Sequence, residues 1–183
     1  TRAIVFAHTL GNPADMKSIM QIAKEKKLFV LEDTCDALDS KYNNKFVGTF
    51  GDVGTFSFYA AHHMTMGEGG AVITNNPKIA RAVTSLRDWG RDCFCKTGEA
   101  NPNGACNNRF KYKFPGMPEG YDHKYIFSSI GYNLKPLDLQ CAIGIEQLKK
   151  LPSFDIKRSS VITKYNEAFG YTNEGLHLYP ILV

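Results

Sequence analysis

Short apolar runs alternate with segments of helical periodicity along the first part of the chain. Ala3–His8 is a run rich in branched and aromatic side chains, which predicts a buried strand. Apolar residues then recur at helical spacing up to Lys27, and Pro13 is placed to occupy the first turn of that helix. Leu28–Leu31 predicts a second strand. The order strand, helix, strand is typical of a parallel sheet, and we therefore expect an α/β fold.

The alternation continues towards the end of the chain. Thr55–Tyr59 and Ala71–Thr74 predict two further strands, and Pro77–Asp88 predicts a helix. Helical spacing returns at Leu137–Leu151 and again at Phe154–Phe169, which predicts two more helices.

Residues 89–122 interrupt this pattern. The segment holds three cysteines and many glycine, asparagine, proline and aromatic residues, without helical or strand periodicity. Irregular segments of this length inside a domain are usually functional or disordered. The three cysteines favour an ordered functional loop.

The composition is that of a globular protein and argues against several classes. Of the 183 residues, 43% are hydrophobic, and the net charge of +4 is spread along the chain. No apolar run reaches the roughly eighteen residues of a membrane span, and no basic stripe indicates nucleic-acid binding. Because no secretory signal is present, we expect a cytoplasmic, reducing location, where ligand or redox roles of the five cysteines outrank structural disulfides. Strand-like runs at both ends lead us to expect a piece of a longer protein.

Polar residues follow two of the predicted strands. Asp33 comes at the carboxyl end of the second strand, where ligands gather in open α/β sheets. A carboxylate there could pair with the protonated pyridine nitrogen of pyridoxal phosphate, although a helix cap or a turn residue is an equal alternative. Ser57–His62 leads directly into the glycine-rich run Gly67–Gly70, where a backbone without Cβ atoms allows close approach to a cofactor.

Several stretches together resemble a known family. They are His8–Gly11, Leu31–Asp33, Gly51–Asp52, Phe56–Phe58, Gly67–Gly70, Gly131–Asn133, Asp138–Gln140 and Ile143–Gly144. In this order they are similar to the DegT/DnrJ/EryC1/StrS sugar aminotransferases and dehydratases, pyridoxal-phosphate enzymes of fold type I (aspartate aminotransferase-like) that act on nucleotide-linked keto-sugars. The resemblance implies that residues 1–150 belong to the cofactor-binding large domain, with a mainly parallel sheet and a cysteine-rich insertion, and that residues 151–183 begin a small C-terminal domain.

The resemblance singles out His62 as the catalytic residue. In the aminotransferase members, a lysine five residues after the serine binds the cofactor covalently, and His62 takes that place here. An imidazole forms no stable imine, so the cofactor is expected to bind non-covalently as pyridoxamine 5′-phosphate (PMP), while histidine serves as a base near neutral pH. His63 is the competing assignment, but the spacing from Ser57 and from Gly67 selects His62. A histidine pair of purely structural role is the alternative.

The resemblance also implies roles for the neighbouring residues. Asp33 and Ser57 are expected to bind the cofactor, and Asp36 to point towards its ring. Asn133 matches a residue that reaches the cofactor phosphate of a partner subunit, which implies a homodimer. Tyr59 is expected to face the substrate, with a core aromatic as the alternative.

Cysteine positions separate two kinds of dehydratase within the family. Thiolates are the usual ligands of iron–sulfur clusters, and the spacing of Cys35, Cys93 and Cys95 resembles that of the members with a [2Fe–2S] cluster. Cys106 would be the fourth ligand, at a longer spacing than in those members. A four-cysteine zinc site is the alternative. Cys141 lies in a predicted helix and is expected to be a buried structural thiol.

The function implied by the resemblance is dehydration of a nucleotide sugar. The C3 hydroxyl of a CDP-4-keto-6-deoxy-hexose would be removed through a Schiff base with PMP, in the synthesis of 3,6-dideoxy sugars for O-antigen. Electrons would come through the cluster from a separate NADH-dependent iron–sulfur flavin reductase. The alternatives are a cluster-free GDP-4-keto-6-deoxy-mannose 3-dehydratase, a sugar aminotransferase-like protein with a structural zinc loop, and a non-catalytic binding module.

Overall fold

A computed structural model of the chain describes residues 1–93 and 109–170. The chain divides into two compact units. The first comprises Thr1–Asn76 and Pro136–Val183, and the second comprises Pro77–Lys135.

The first unit is built on a mainly parallel sheet, as the sequence predicts. Its strands are β1 (Ala3–Ala7), β2 (Phe29–Asp33), β3 (Lys41–Tyr42), β4 (Lys45–Phe46), β5 (Val53–Ser57) and β6 (Gly70–Ile73). The sheet has the order β1-β2-β5-β6, with β1, β2 and β5 parallel and β6 antiparallel to β5, while β3 and β4 form a separate hairpin. Asp33 pairs with Ala7 on one side and Thr55 on the other. The carboxyl ends of β2 and β5 are therefore neighbours.

Three α-helices are present in the described residues. They are α1 (Met16–Lys26), α2 (Pro77–Arg87) and α3 (Asp138–Phe169), and short 3₁₀ turns occur at Thr9–Gly11 and His123–Tyr125. The helix predicted at Pro77–Asp88 is thus found within one residue as α2, in the second unit.

The start of α1 differs from the prediction. The helix begins at Met16 and not at Pro13, because Asp15 acts as its N-cap. The Asp15 carboxylate accepts hydrogen bonds from the backbone N–H (3.3 Å) and the hydroxyl (2.6 Å) of Ser18, which satisfies a donor left free in the first turn.

The prediction of a buried first strand is wrong for β1. It pairs only with β2 among the described residues, so it forms one edge of the described sheet. The side chain of Val5 is 67% exposed there. Pattern alone does not distinguish a central strand from an edge strand.

The two helices predicted near the end of the chain are a single helix. α3 continues through Pro152, which usually ends or kinks a helix because it lacks an N–H group. The hydroxyl of Ser153 donates to the carbonyl oxygen of Lys150 at 2.7 Å and satisfies an acceptor in this turn. Leu151 is buried, so packing holds the helix together at the proline.

Buried apolar side chains connect α3 to the segment that follows β5. All buried apolar residues of the described part belong to the first unit: Met16, Ala23, Val30, Ala37, Val47, Met64, Met66 and Leu151. A Cβ atom at Gly144 would come within 2.7 Å of the Cγ atom of Met66, so a glycine lets the helix approach this segment closely. The Gln140 side-chain amide also donates to the carbonyl oxygen of Glu68 at 3.0 Å.

The described part of the second unit has little regular structure beyond α2. Asp88 and Asn133 form an isolated β-bridge, and so do Arg91 and Phe127. Residues 89–93 and 109–122 contain no helix and no extended strand, which agrees with the irregular segment predicted there.

Candidate functional site at the strand ends

Asp33 is held at the carboxyl end of β2 as an ionised carboxylate. Its Oδ1 atom accepts hydrogen bonds from the backbone N–H of Cys35 (3.0 Å) and the hydroxyl of Thr55 (3.3 Å). Burial acts to raise the pKa of Asp33, but hydrogen bonds from Cys35 and Thr55 and the charge of His62 outweigh burial and lower this pKa. A negative charge is thus fixed at the end of the central strand.

The loop after β2 places Asp36 beside the same strand end. The Thr34 hydroxyl and the Thr34 N–H (2.9 Å) both donate to the carbonyl oxygen of Thr55, which ties the loop to β5. A tight turn follows, in which the N–H of Ala37 donates to the carbonyl oxygen of Thr34 at 3.0 Å. Asp36 stands within this turn, and its side chain is 35% exposed.

His62 lies in a turn directly after β5 and faces Asp36. The N–H of His62 donates to the carbonyl oxygen of Tyr59 at 3.0 Å, which closes the turn. Its Nε2 atom lies 3.5 Å from Oδ1 of Asp36, whereas its Nδ1 atom is buried and has no hydrogen-bond partner among the described residues. Nε2 is therefore the nitrogen through which His62 can exchange a proton.

Ser57 and Tyr59 belong to the same site as Asp33, Asp36 and His62. The Ser57 hydroxyl oxygen accepts a hydrogen bond from the backbone N–H of Tyr59 at 3.3 Å. The Tyr59 side chain is 48% exposed, which argues against a core role, and its ring meets His62 edge-on with centroids 5.8 Å apart. We call Asp33, Asp36, Ser57, Tyr59 and His62 the strand-end site.

His63 has a different environment from His62. Its side chain is buried, and burial, followed by the positive charges of Arg158 and His62, lowers the pKa of His63 to about 4. The ring is therefore neutral near pH 7. This environment suits a structural histidine.

Sequence reasoning missed a buried carboxylate next to Asp33. Glu32 accepts hydrogen bonds from the backbone N–H groups of Gly48, Phe50 and Gly51 at 2.6–2.7 Å, and its Oε2 atom lies 3.2 Å from Nε2 of His8. Burial acts to raise the pKa of Glu32, but these partners lower it. Two of the stretches that resemble the family, His8–Gly11 and Gly51–Asp52, contain partners of Glu32 and were the sequence signal for this buried carboxylate.

The contact between His8 and Glu32 has a defined proton position. The Nδ1 atom of His8 accepts a hydrogen bond from the backbone N–H of Ala14 at 3.0 Å. A neutral ring must then carry its proton on Nε2, which donates to Glu32. This pair ties the end of β1 to the end of β2.

The four cysteines predicted as ligands are only partly described. Cys35 follows β2 in the first unit, Cys93 lies in the second unit, and Cys95 and Cys106 fall outside the described residues. Within residues 1–93 and 109–170, no group of three His, Cys, Asp or Glu side chains is arranged to hold a metal ion.

The two described ligand candidates have different surroundings. Burial and then the hydrogen bond and charge of Asp33 raise the pKa of Cys35 to about 11, so its thiol is protonated at neutral pH without metal. The Sγ atom of Cys93 lies 4.0 Å from Nε2 of His123. Cys141 on α3 is half-buried, so the prediction of a buried thiol is wrong.

Asn133 belongs to the second unit. Its side-chain oxygen accepts a hydrogen bond from Lys135 at 3.3 Å, and its side chain is exposed. Its expected contact with a cofactor phosphate stays a prediction. In the described part of the chain, no helix combines the length and apolarity needed to cross a bilayer.

Solved structures that match this chain, with its mainly parallel sheet and the fixed carboxylate at one strand end, show the fold of pyridoxal-phosphate-dependent, aminotransferase-like enzymes. The sequence profile of the DegT/DnrJ/EryC1/StrS aminotransferase family matches residues 1–179. The chain belongs to this family.

Two curated relatives are especially similar. The chain is 54% identical over 158 residues to the dTDP-4-dehydro-2,6-dideoxy-D-glucose 3-dehydratase of Saccharopolyspora spinosa, covering 86% of this chain and 34% of the relative. It is 46% identical over 176 residues to the lipopolysaccharide biosynthesis protein RfbH of Salmonella typhimurium, covering 96% of this chain and 38% of that protein.

A solved structure has the same fold. It is the E. coli GDP-4-keto-6-deoxy-D-mannose-3-dehydratase with bound hydrated PLP, with a TM-score of 0.74 and 34% identity. The match covers 93% of this chain and 41% of the solved chain. The chain thus spans between about a third and two fifths of the length of these relatives.

Proposed function

We propose that the protein is a PMP-dependent sugar-nucleotide 3-dehydratase of deoxysugar synthesis and that His62 is its catalytic base. The observation that carries this proposal is His62 itself, an imidazole whose Nε2 atom lies 3.5 Å from a carboxylate, at the position where the resemblance places the lysine of the aminotransferases. The similarity to two enzymes named as 3-dehydratases supports it.

The residues of the strand-end site fit PMP. Bound PMP would supply an amino group for the keto-sugar and a protonated pyridine ring that accepts electrons. Asp33 would hold the ring nitrogen in its protonated form, because its carboxylate is ionised and fixed by hydrogen bonds. Ser57 and Asp36 would complete the cofactor contacts.

His62 would act as the base through its Nε2 atom. After it takes a proton, the ring carries a positive charge, and the Asp36 carboxylate at 3.5 Å stabilises that charge. The exposed Tyr59 ring beside it would contact the sugar. His62 would then pass that proton from Nε2 to the C3 hydroxyl, which would leave as water, and the imidazole would return to its neutral form.

The base assignment is tested by replacing His62 with lysine in the full-length protein. His62→Lys should lose dehydration of a nucleotide-linked 4-keto-6-deoxy sugar, measured by mass spectrometry of the product, and should bind PLP covalently. Arg81 lies on α2, outside the strand-end site, so Arg81→Gln serves as the control and should retain dehydration. Dehydration at the wild-type rate in His62→Lys would overturn the assignment.

The proposal also specifies the nucleotide that is linked to the sugar substrate. We propose a CDP-linked 4-keto-6-deoxy-hexose, and the name of the Saccharopolyspora relative makes a dTDP-linked sugar the second choice. Parallel kinetics with CDP-, dTDP- and GDP-linked sugars decide between them. A kcat/KM at least about tenfold higher for one nucleotide corresponds to about 1.4 kcal/mol of transition-state binding.

We also propose that Cys35, Cys93, Cys95 and Cys106 bind a [2Fe–2S] cluster, which a separate NADH-dependent reductase would reduce. The resemblance in cysteine spacing supports this. Electron paramagnetic resonance of the anaerobically purified, dithionite-reduced protein should show a [2Fe–2S] signal that disappears in Cys93→Ser. Absence of iron after reconstitution would favour a cluster-free dehydratase of the GDP-sugar type, and bound zinc would make the cysteines structural.

The assembly and location of the protein are proposals of the same kind. We propose a cytoplasmic homodimer in which Asn133 reaches the partner's cofactor phosphate. Asn133→Ala should weaken PMP binding without changing the sedimentation coefficient of the dimer. A monomer that binds PMP as tightly as the dimer would contradict the role of Asn133.

A further inference from the structure

Arg158 on α3 reaches the segment that carries the proposed base. Its Nη2 atom donates to the carbonyl oxygen of His63 at 2.8 Å, across 95 positions of the sequence. Its Nη1 atom donates to Oδ1 of Asp155 at 3.2 Å on the same helix. The side chains of Arg158 and Asp155 are only 15% and 13% exposed, so both interactions are largely shielded from solvent.

Asp155 in turn faces the loop that carries Asp36. Burial, followed by a hydrogen bond and the charge of Asp39, raises the pKa of Asp155 to about 6. Asp39 has φ = 68°, in the left-handed region. The following residue, Ser40, is buried and donates to the carbonyl oxygen of Gly11 at 3.0 Å. The loop is therefore tied to the segment that follows β1.

These contacts join three segments that are distant in sequence. The cluster of Asp39, Asp155 and Arg158 connects α3 to the loop of Asp36 on one side and to the turn of His62 on the other. An Asp–Arg pair that only stabilised a helix surface would need no contact with a carbonyl outside the helix. A charge-assisted bond to the residue next to His62 is a stronger constraint than such a pair.

We propose that Arg158 is a positioning residue, which with Asp155 and Asp39 holds the turn of His62 against the loop of Asp36 and thereby sets the Nε2–Oδ1 distance. This inference rests on the proposed role of His62 as the base. It assigns no contact with substrate or cofactor to Arg158.

Hydrogen exchange and kinetics of the full-length protein test the proposal together. Arg158→Gln should speed amide exchange in residues 59–66 of the cofactor-free protein and lower kcat, each by roughly 10-fold to 100-fold, the range expected for a lost hydrogen bond to a charged group. KM for the sugar nucleotide should stay within about twofold, because substrate binding is not affected. Lys157→Gln removes a neighbouring exposed cation from the same helix and should change neither quantity.

A conservative variant separates positioning from a general loss of stability. Asp155→Asn keeps an oxygen acceptor for Arg158 and offers an N–H donor to Asp39, so it should retain kcat within about threefold, whereas Asp155→Ala should resemble Arg158→Gln. Unchanged exchange and kcat in Arg158→Gln would overturn the proposal. Faster exchange throughout the first unit, with a lower Tm and loss of PMP, would overturn it in favour of a structural role. A wild-type protein without dehydratase activity would overturn the proposed function, while the exchange result would still decide whether Arg158 holds the turn.

Discussion

The strand-end site and the cysteine-bearing part of the second unit are held by different kinds of structure. Asp33 and the turn of His62 are fixed by the pairing of β2 with β5 and by hydrogen bonds across it. Cys93 follows an isolated bridge, and its Sγ atom lies 4.0 Å from Nε2 of His123. Acid–base chemistry needs geometry that exists before substrate binds, whereas a metal site commonly acquires its geometry with the metal. We therefore expect mutations in the strand-end site and mutations of the cysteines to have different consequences for the protein.

The largest effect is expected at His62. His62→Asn should lower the rate of dehydration about 10²-fold to 10⁴-fold, the usual contribution of a general base, because an amide cannot accept the proton. The PMP affinity of the variant, measured by absorbance titration, should stay close to that of the wild type. Loss of PMP together with activity would mean that His62 holds the cofactor and does not act as the base.

A large effect on stability is expected at Glu32. Glu32→Ala removes the partner of His8 and of three backbone N–H groups, and leaving such buried groups unpaired should cost about 3–5 kcal/mol of unfolding free energy in urea. Glu25→Ala, at an exposed position on α1, should cost less than about 0.5 kcal/mol. Equal losses in the two variants would show that Glu32 does not anchor the strand ends.

A smaller effect, on the free energy of unfolding as a function of pH, is expected from His63. Its pKa is lowered to about 4 in the folded chain, so the unfolded chain binds the proton more readily. The neutral ring contributes stability that is present above its ordinary pKa of about 6.5 and is lost as the pH falls towards 4, up to roughly 3 kcal/mol. His63→Gln should flatten this part of the stability curve relative to the wild type. Parallel curves for both proteins between pH 4 and 6.5 would contradict the lowered pKa.

The smallest effect is expected on cofactor binding when a cysteine is changed. Cys35 stabilises Asp33 partly through its backbone N–H, which remains in Cys35→Ser, so the PMP dissociation constant should change less than about threefold. Iron should nevertheless be lost from Cys35→Ser and Cys93→Ser, and retained in the control Cys141→Ser. Unchanged iron in Cys35→Ser would remove this residue from the ligand set.

Local patterns were sufficient to predict the sheet and the position of Asp33. A short apolar run followed by acidic residues fixes the end of a strand within about two residues, and parallel pairing then brings the ends of β2 and β5 together. The edge position of β1 and the continuity of α3 through Pro152 depend on packing between distant segments. The spacing of apolar residues within a strand or helix carries no information about packing between distant segments.

The supporting residues were the least predictable part of the site. In the sequence, Glu32 looks like an ordinary polar residue at the end of a strand. Its hydrogen-bond partners, however, lie between 16 and 24 positions away in the chain. The contact between Arg158 and His63 spans 95 positions. His62 and the cysteine set came from resemblance to a family, because a pair of histidines or a few cysteines has no single meaning by itself.

Proton exchange at the bound cofactor tests the central claim most directly. The full-length protein is loaded with PMP in deuterium oxide, the nucleotide-linked 4-keto sugar is added, and the deuterium content of the cofactor methylene group is followed by mass spectrometry. If His62 is the base, the wild type should incorporate deuterium only when the sugar is present, and His62→Asn should not. Equal incorporation by the wild type and His62→Asn would contradict the assignment of His62 as the catalytic base.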